Sequence, residues 1–205
     1  MEESISIITN KYTRRVYVME DYIRIYENAV DPDFCKHLID KFETDTDNHE
    51  KIEHGEDKNM SFTQLNMFQQ KTHESWETET KTLQECFMKH LTMYKKECNI
   101  IPTQWPDKYG FEAFRLKRYL PNDIDQFKEH VDVTNKDNNI RFLVFFLYLD
   151  DNDAGETIFP QIEKSSSCKK GSLLMFPPMW PWVHQGMKPI VKPKYIVGSY
   201  LHYAY

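Results

Sequence analysis

Apolar and polar positions divide the chain into a first half of mixed period and a second half of strand period. Ser4–Ile8, Arg15–Met19 and Tyr22–Tyr26 alternate with period two, the signature of strands with one buried face. The period then changes. Asp31-Pro32 reads as a helix N-cap followed by proline at the first helical position. Phe34, Cys35, Leu38, Ile39 and Phe42 follow at helical spacing and form one apolar stripe. Residues 44–60 are polar and charged and predict a surface loop, on which His49 and His54 fall by chance. A longer helix is predicted from near Ser75 to Cys98, with Leu83, Cys86, Phe87, His90, Leu91, Tyr94 and Cys98 on its buried face. On that stripe His90 reads as a core histidine rather than a ligand. Pro102 and Pro106 bound the loop that follows.

From residue 111 onward the pattern predicts strands at Phe111–Leu120, Ile140–Leu149, Thr157–Phe159, Ser172–Phe176 and Tyr195–Tyr203, with prolines clustered between them. Ile140–Leu149 is nearly continuously apolar, as a strand buried on both faces must be. Helices followed by a run of strands predict an α+β, mainly β fold, a sandwich or barrel with its helices on one side. No internal repeat, low-complexity tract or linker interrupts the chain.

Composition narrows the function classes. The 205 residues suit one domain, and 40% hydrophobic residues with 28% charged suffice for a core. Asp and Glu number 32 against 26 Lys and Arg, a net charge of −6, so the chain lacks the footprint of a non-specific nucleic-acid binder. Few glycines (6) beside 13 Phe, 12 Tyr and 4 Trp fit strands over an aromatic core. Cys35, Cys86, Cys98 and Cys168 form no CxxC pair and read as buried small hydrophobes. The chain opens without an apolar run of signal-peptide length and nowhere approaches ~20 consecutive apolar residues. These features predict a cytoplasmic protein with reduced thiols and no membrane or nucleic-acid partner.

Chemistry concentrates in the second half. In Glu129-His130-Val131-Asp132, alternate side chains of a strand share a face, so His130 and Asp132 converge. A further histidine, His184, lies 52 residues beyond Asp132. Two histidines and one carboxylate can hold Fe(II) on one face and leave the opposite positions open for a bidentate cosubstrate and dioxygen. The bland alternative is a set of ordinary surface or core histidines. Lys194 opens an apolar strand ten residues after His184. Facing into a barrel it would need an anion, and a dicarboxylic cosubstrate supplies one. At a solvated strand end it would need none. Tyr119, on the preceding strand, could donate a hydrogen bond to the same carboxylate.

From about Phe111 to Tyr205 the chain resembles the 2-oxoglutarate- and Fe(II)-dependent dioxygenases, and among them the prolyl 4-hydroxylase branch. The matching pieces are Arg118-Tyr119, residues 127–132, Arg141, Tyr148-Leu149, Gly155-Glu156-Thr157-Ile158-Phe159-Pro160, residues 170–176, His184 and Lys194-Tyr195-Ile196. Looser similarity reaches back to Ile23–Val30 and the helix after it. The resemblance implies a double-stranded β-helix (jelly-roll, cupin-like) core with supporting N-terminal helices. It implies iron held by His130, Asp132 and His184, and 2-oxoglutarate whose far carboxylate pairs with Lys194 and Tyr119. Cofactors implied are Fe(II), 2-oxoglutarate and O2, with ascorbate as reductant. The intact Asp132 favours hydroxylation over halogenation, since halogenases of this fold generally lose that carboxylate. Three departures stand out: a longer separation between Tyr119 and His130 than many members show, Phe127 where many have Tyr, and Ala154 in place of the first Gly of Gly-Gly-Glu-Thr.

The whole chain, 1–205, is thus read as one dioxygenase domain, with strands and supporting helices over 1–110 and the metal-bearing core over 111–205. Its expected product is a hydroxylated prolyl residue of a peptide or protein, with succinate and CO2. Candidate substrate residues are Arg141, with a structural ion pair as its alternative, and Tyr148, Trp180 and Trp182, with core packing as theirs. Segments 47–60, 121–126 and 134–139 are candidate lids. A same-fold dioxygenase of a small molecule or nucleobase, and a non-catalytic β-barrel binding module, are the competing functions.

Overall fold

The computed structural model describes residues 18–54 and 60–204. The strand expected at Ser4–Ile8 and most of the one at Arg15–Met19 lie outside the described residues. Residues Met19–Tyr22 form a 3-10 turn, and the first strand, β1, is Arg24–Tyr26. Helix α1, Pro32–Thr44, begins as its sequence dictates: the Asp31 side chain accepts the Asp33 N–H at 2.7 Å, and Cys35, Leu38 and Phe42 are buried. Helix α2 spans Glu77–Glu97. His90 is buried on it, and its Nδ1–H donates to the Cys86 carbonyl at 2.8 Å.

The loop expected over 44–60 is instead the start of a hairpin, with β2 at Glu50–His54 paired to β3 at Met60–Asn66. β2 is mostly charged, and β3 splits its apolar residues between two faces, Phe62 inside the barrel and Leu65 against the helix-covered cluster, so composition hides the alternation. His49 is no stray loop residue. Its ring stacks on Phe42 with centroids 4.0 Å apart, and Nε2 bonds the Phe42 carbonyl at 2.9 Å.

The expected strand Phe111–Leu120 is two strands, β4 at Tyr109–Phe111 and β5 at Arg115–Tyr119, because the chain turns at Phe114 to dock its carbonyl on Met67. Then come β6 (Gln126–His130), β7 (Arg141–Tyr148), β8 (Asn152–Phe159), β9 (Lys164–Cys168), β10 (Leu173–Phe176), β11 (His184–Gly186) and β12 (Lys194–Tyr203). The strands join in the order β1-β10-β7-β12-β5-β3-β6-β11-β8-β9, with β2 added on β3 and β4 on β12, all antiparallel. The result is a nearly closed jelly-roll barrel.

Two apolar clusters follow from the strand period. Val144, Phe146 and Tyr148 point into the barrel beside Phe159, Phe176, Ile196 and Tyr200. Leu143, Phe145 and Leu147 point outward, under Leu38, Phe42, Leu83, Phe87 and Leu91 of the helices. Burial on both faces explains the unbroken apolar run of β7. At the β9–β10 turn Gly171 adopts φ +73°, and a Cβ there would meet the Val30 carbonyl oxygen at 2.9 Å. Among the described residues no helix is long and apolar enough to cross a membrane.

Candidate metal centre

Strands β6 and β11 are neighbours, and their antiparallel register sets His184 opposite His130. Two histidines far apart in sequence thereby become a cross-strand pair, with ring centroids 4.2 Å apart. Asp132 lies just past the end of β6, where its N–H donates to the Pro178 carbonyl at 3.1 Å. One ligand atom from each of the three residues falls within 4.8 Å of the others. His130 Nε2 is 3.5 Å from Asp132 Oδ1, and His184 Nε2 is 3.4 Å from Oδ2.

The remaining hydrogen bonds orient this set. Nδ1–H of His130 donates to the Lys128 carbonyl at 2.7 Å, and Nδ1–H of His184 to the Trp182 carbonyl at 3.0 Å. Each Nε2 therefore presents its lone pair to the centre. Phe127 lies flat on the His130 ring at 3.5 Å, and Phe176 packs edge-on to His184 at 4.7 Å. The Tyr200 hydroxyl donates to Asp132 Oδ1 at 2.8 Å. Burial pushes His184 down to about 4, so its ring is neutral near pH 7. Burial opposes ionisation of Asp132 as well, but the two imidazoles and Tyr200 override it and hold the carboxyl well below the usual range.

These residues pass a physical test for a bound metal. Nε2 of His130, Nε2 of His184 and Oδ2 of Asp132 are buried without any hydrogen-bond partner. Three such orphans facing one point are costly unless a cation satisfies them. Two imidazole nitrogens and one carboxylate oxygen form a donor set that suits Fe(II).

Behind the centre is a small enclosed cavity lined by Tyr119, Thr157, Gly186 and Lys194 among others. The register pairs Lys194 with Tyr119 directly. Lys194 is 3% exposed, its ammonium 5.6 Å from the Tyr119 ring centre and 5.9 Å from that of Tyr148. Burial pushes the ammonium down to about 8 and the Tyr119 phenol well above its ordinary value. A Cβ on Gly155 would come within 3.1 Å of Lys194 Cδ, so the Gly-Glu-Thr string leaves room for the lysine stem.

In front of the centre a larger cavity of about 620 Å3 opens to solvent, and Arg141 lines it. Arg141 is also an ion-pair partner: Nε and Nη2 reach the Glu112 carboxylate at 2.6 and 2.9 Å, Nη1 donates to the Asp132 carbonyl at 3.3 Å, and the guanidinium lies 4.1 Å over Tyr200.

The aromatic candidates fall elsewhere. Tyr148 is sealed inside the barrel with its hydroxyl bonded to Thr157 at 2.7 Å, because the inward parity of β7 takes it there; it offers no surface to a substrate. Trp180 is 79% exposed and lines neither cavity. Trp182 stands edge-on to Tyr22, donates its indole N–H to Met19, and lines a separate groove with Trp105 and Phe142. Only its carbonyl serves the centre. The lid expected over 121–126 is pinned: buried Asp125 accepts from Lys51 at 2.6 Å, Ser61 at 2.9 Å and the Leu120 N–H at 3.0 Å. Tyr200 and Lys117 were not singled out from the sequence. The parity of Lys194 along β12 was the available signal for Tyr200.

Residues 114–202 match the 2OG-Fe(II) oxygenase superfamily. No curated protein matches the chain in sequence. Solved structures match it in fold. One is a viral collagen prolyl hydroxylase of Paramecium Bursaria Chlorella virus-1 in complex with 2OG: 20% identity, 90% of this chain and 97% of that one covered, TM-score 0.63. A prolyl-4-hydroxylase of Pseudomonas putida matches at 12% identity over 90% and 94%, TM-score 0.58. A Trichoplax adhaerens prolyl hydroxylase, in complex with a hypoxia inducible factor oxygen degradation domain peptide fragment, matches at 16% identity over 89% and 84%, TM-score 0.64.

Proposed function

From the match of residues 114–202 to the 2OG-Fe(II) oxygenase superfamily and the site described above, we propose that this chain is a 2-oxoglutarate-dependent dioxygenase that hydroxylates a prolyl residue of a peptide or protein. The observation that carries the reading is the convergence of three buried ligand atoms, unpartnered among the described residues, beside a buried lysine for which the described residues supply no ion-pair partner. The convergence of unpartnered ligand atoms speaks against the competing view of a non-catalytic binding module. The described core and its two helices then form one catalytic domain.

In this reading His130, Asp132 and His184 hold Fe(II). When bound there, Fe(II) would supply the chemistry by which O2 oxidises 2-oxoglutarate to succinate and CO2, one oxygen atom going to succinate and the other to a substrate C–H bond. The chain's own residues do the rest. Lys194 and Tyr119 take the far carboxylate of 2-oxoglutarate in the small cavity they line. Tyr200 holds Asp132 in place for the metal. Arg141, immobilised by Glu112, presents a fixed guanidinium edge at the cavity where substrate enters. In this reading ascorbate would serve as an external reductant.

The prolyl assignment draws support from the fold neighbours, which are prolyl hydroxylases of viral, bacterial and animal origin, one holding a peptide. Incubation with Fe(II), 2-oxoglutarate, ascorbate and a proline-rich peptide library, read by mass spectrometry, tests it. The reading expects one oxygen gained on proline in step with succinate release. Succinate without any oxygenated peptide would move the substrate to a small molecule; no succinate would remove the dioxygenase reading.

A further inference from the structure

The cavity in front of the metal centre carries charge that the proposed chemistry leaves unused. Arg115, Lys117 and Arg141 all line it, and among the described residues Asp132 is its only lining carboxylate, already assigned to the metal. Arg141 and Arg115 share a single counter-ion, Glu112, the latter at 3.4 Å. Lys117 has none: among the described residues no carboxylate lies within ion-pair distance of it. Its ammonium sits 4.8 Å from the Phe62 ring centre and 6.0 Å from that of Phe127, and the residue is 8% exposed.

Strand period explains the placement. Arg115, Lys117 and Tyr119 alternate along β5 and share its inward face. The register sets Tyr119 against Lys194 and Lys117 against Ile196. Lys117 therefore stands one inward step beyond the residues that take the far carboxylate of 2-oxoglutarate, and it borders both cavities. A buried ammonium with no counter-charge is retained at a standing cost to the fold. An anion arriving in the cavity would remove that cost.

Resting on the dioxygenase reading, we propose that the substrate carries a carboxylate close to the oxidised carbon, and that Lys117, flanked by Arg115, receives it. One unpaired cation between aromatic and aliphatic walls matches a singly charged carboxylate. That carboxylate is either an acidic side chain beside the target proline or the main-chain carboxylate of a terminal proline. Lys117 is in this sense a specificity-determining residue of the prolyl site.

Two probe pairs separate these sources: Ac-Glu-Pro-Gly-NH2 against Ac-Gln-Pro-Gly-NH2, and N-acetyl-L-proline against its amide. Binding is read by calorimetry without O2, on protein loaded with Mn(II) and 2-oxoglutarate. The proposal expects the anionic member of at least one pair to bind about tenfold tighter or better, and that preference to collapse in Lys117→Met. Arg115→Gln should weaken the preference without abolishing it. Equal binding within both pairs, including no binding by any probe, overturns the proposal. So does a preference that survives Lys117→Met. A Lys117→Met protein that loses 2-oxoglutarate affinity instead would assign the lysine to the cosubstrate and also overturn it. Succinate release by the wild-type enzyme, measured in parallel, tells the two failures apart: with release intact only this inference falls.

Discussion

Lys194 shows how one residue trades stability for binding. Burial lowers its ammonium from the ordinary 10.5 to about 8. A group depressed in this way withholds stability below the folded value and restores it as pH rises past the unfolded one. The deficit at neutral pH is about 3 kcal/mol. Lys194→Met is therefore expected to raise the melting temperature of the ligand-free protein at pH 7, with the gap over wild type closing toward pH 10. The same variant should bind 2-oxoglutarate about a hundredfold more weakly. Thermal scans across pH and a 2-oxoglutarate titration check both signs; a variant less stable at pH 7 would contradict the buried, unpaired state. Tyr200 acts one bond further out. Removing its 2.8 Å hydrogen bond to Asp132 in Tyr200→Phe should loosen Fe(II) or Mn(II) by about tenfold, read by metal titration, while the melting temperature moves little.

At the scale of elements, α2 is the brace behind the barrel. Phe87 is fully buried and stacks on Phe145 of β7 at 4.9 Å with an 11° interplanar angle. Phe87→Ala should cost about 3–5 kcal/mol in denaturant unfolding. A loss below ~1 kcal/mol would mean that the helix does not brace β7. Elements with strong periodicity were legible in advance: the Asp31-capped α1, the long α2, and the strands β7, β10 and β12. The β2–β3 hairpin was not, because β2 is mostly charged and β3 divides its apolar residues between two faces, Phe62 inward and Leu65 toward the helices. Strands β9 and β11 escaped for a related reason: Ser165, Ser166 and Ser167, or a three-residue His184–Gly186 segment, become strands through their neighbours rather than through propensity.

For the whole molecule, closure of the barrel makes the site. Met60 and Ser61 of β3 pair with β6, and β6 pairs with β11, so closing the sheet sets His130 against His184 and places Lys117 and Lys194 along one inward face. The histidines, the aspartate and Lys194 were readable from spacing and resemblance, since their chemistry needs those side-chain types. Tyr148 and Trp182 misled because an aromatic side chain near a site residue in sequence carries no sign of which face it takes. Lys117 and Tyr200 stayed hidden inside apolar strands, where only parity reveals them. The central claim is that His130, Asp132 and His184 hold the Fe(II) that drives 2-oxoglutarate oxidation. Its most direct test is O2-dependent succinate formation with Fe(II) and 2-oxoglutarate, comparing wild type with a folded His130→Ala variant. The account predicts Fe(II)-dependent succinate from the wild type and a loss of at least about a hundredfold in the variant; wild-type turnover by His130→Ala would contradict it.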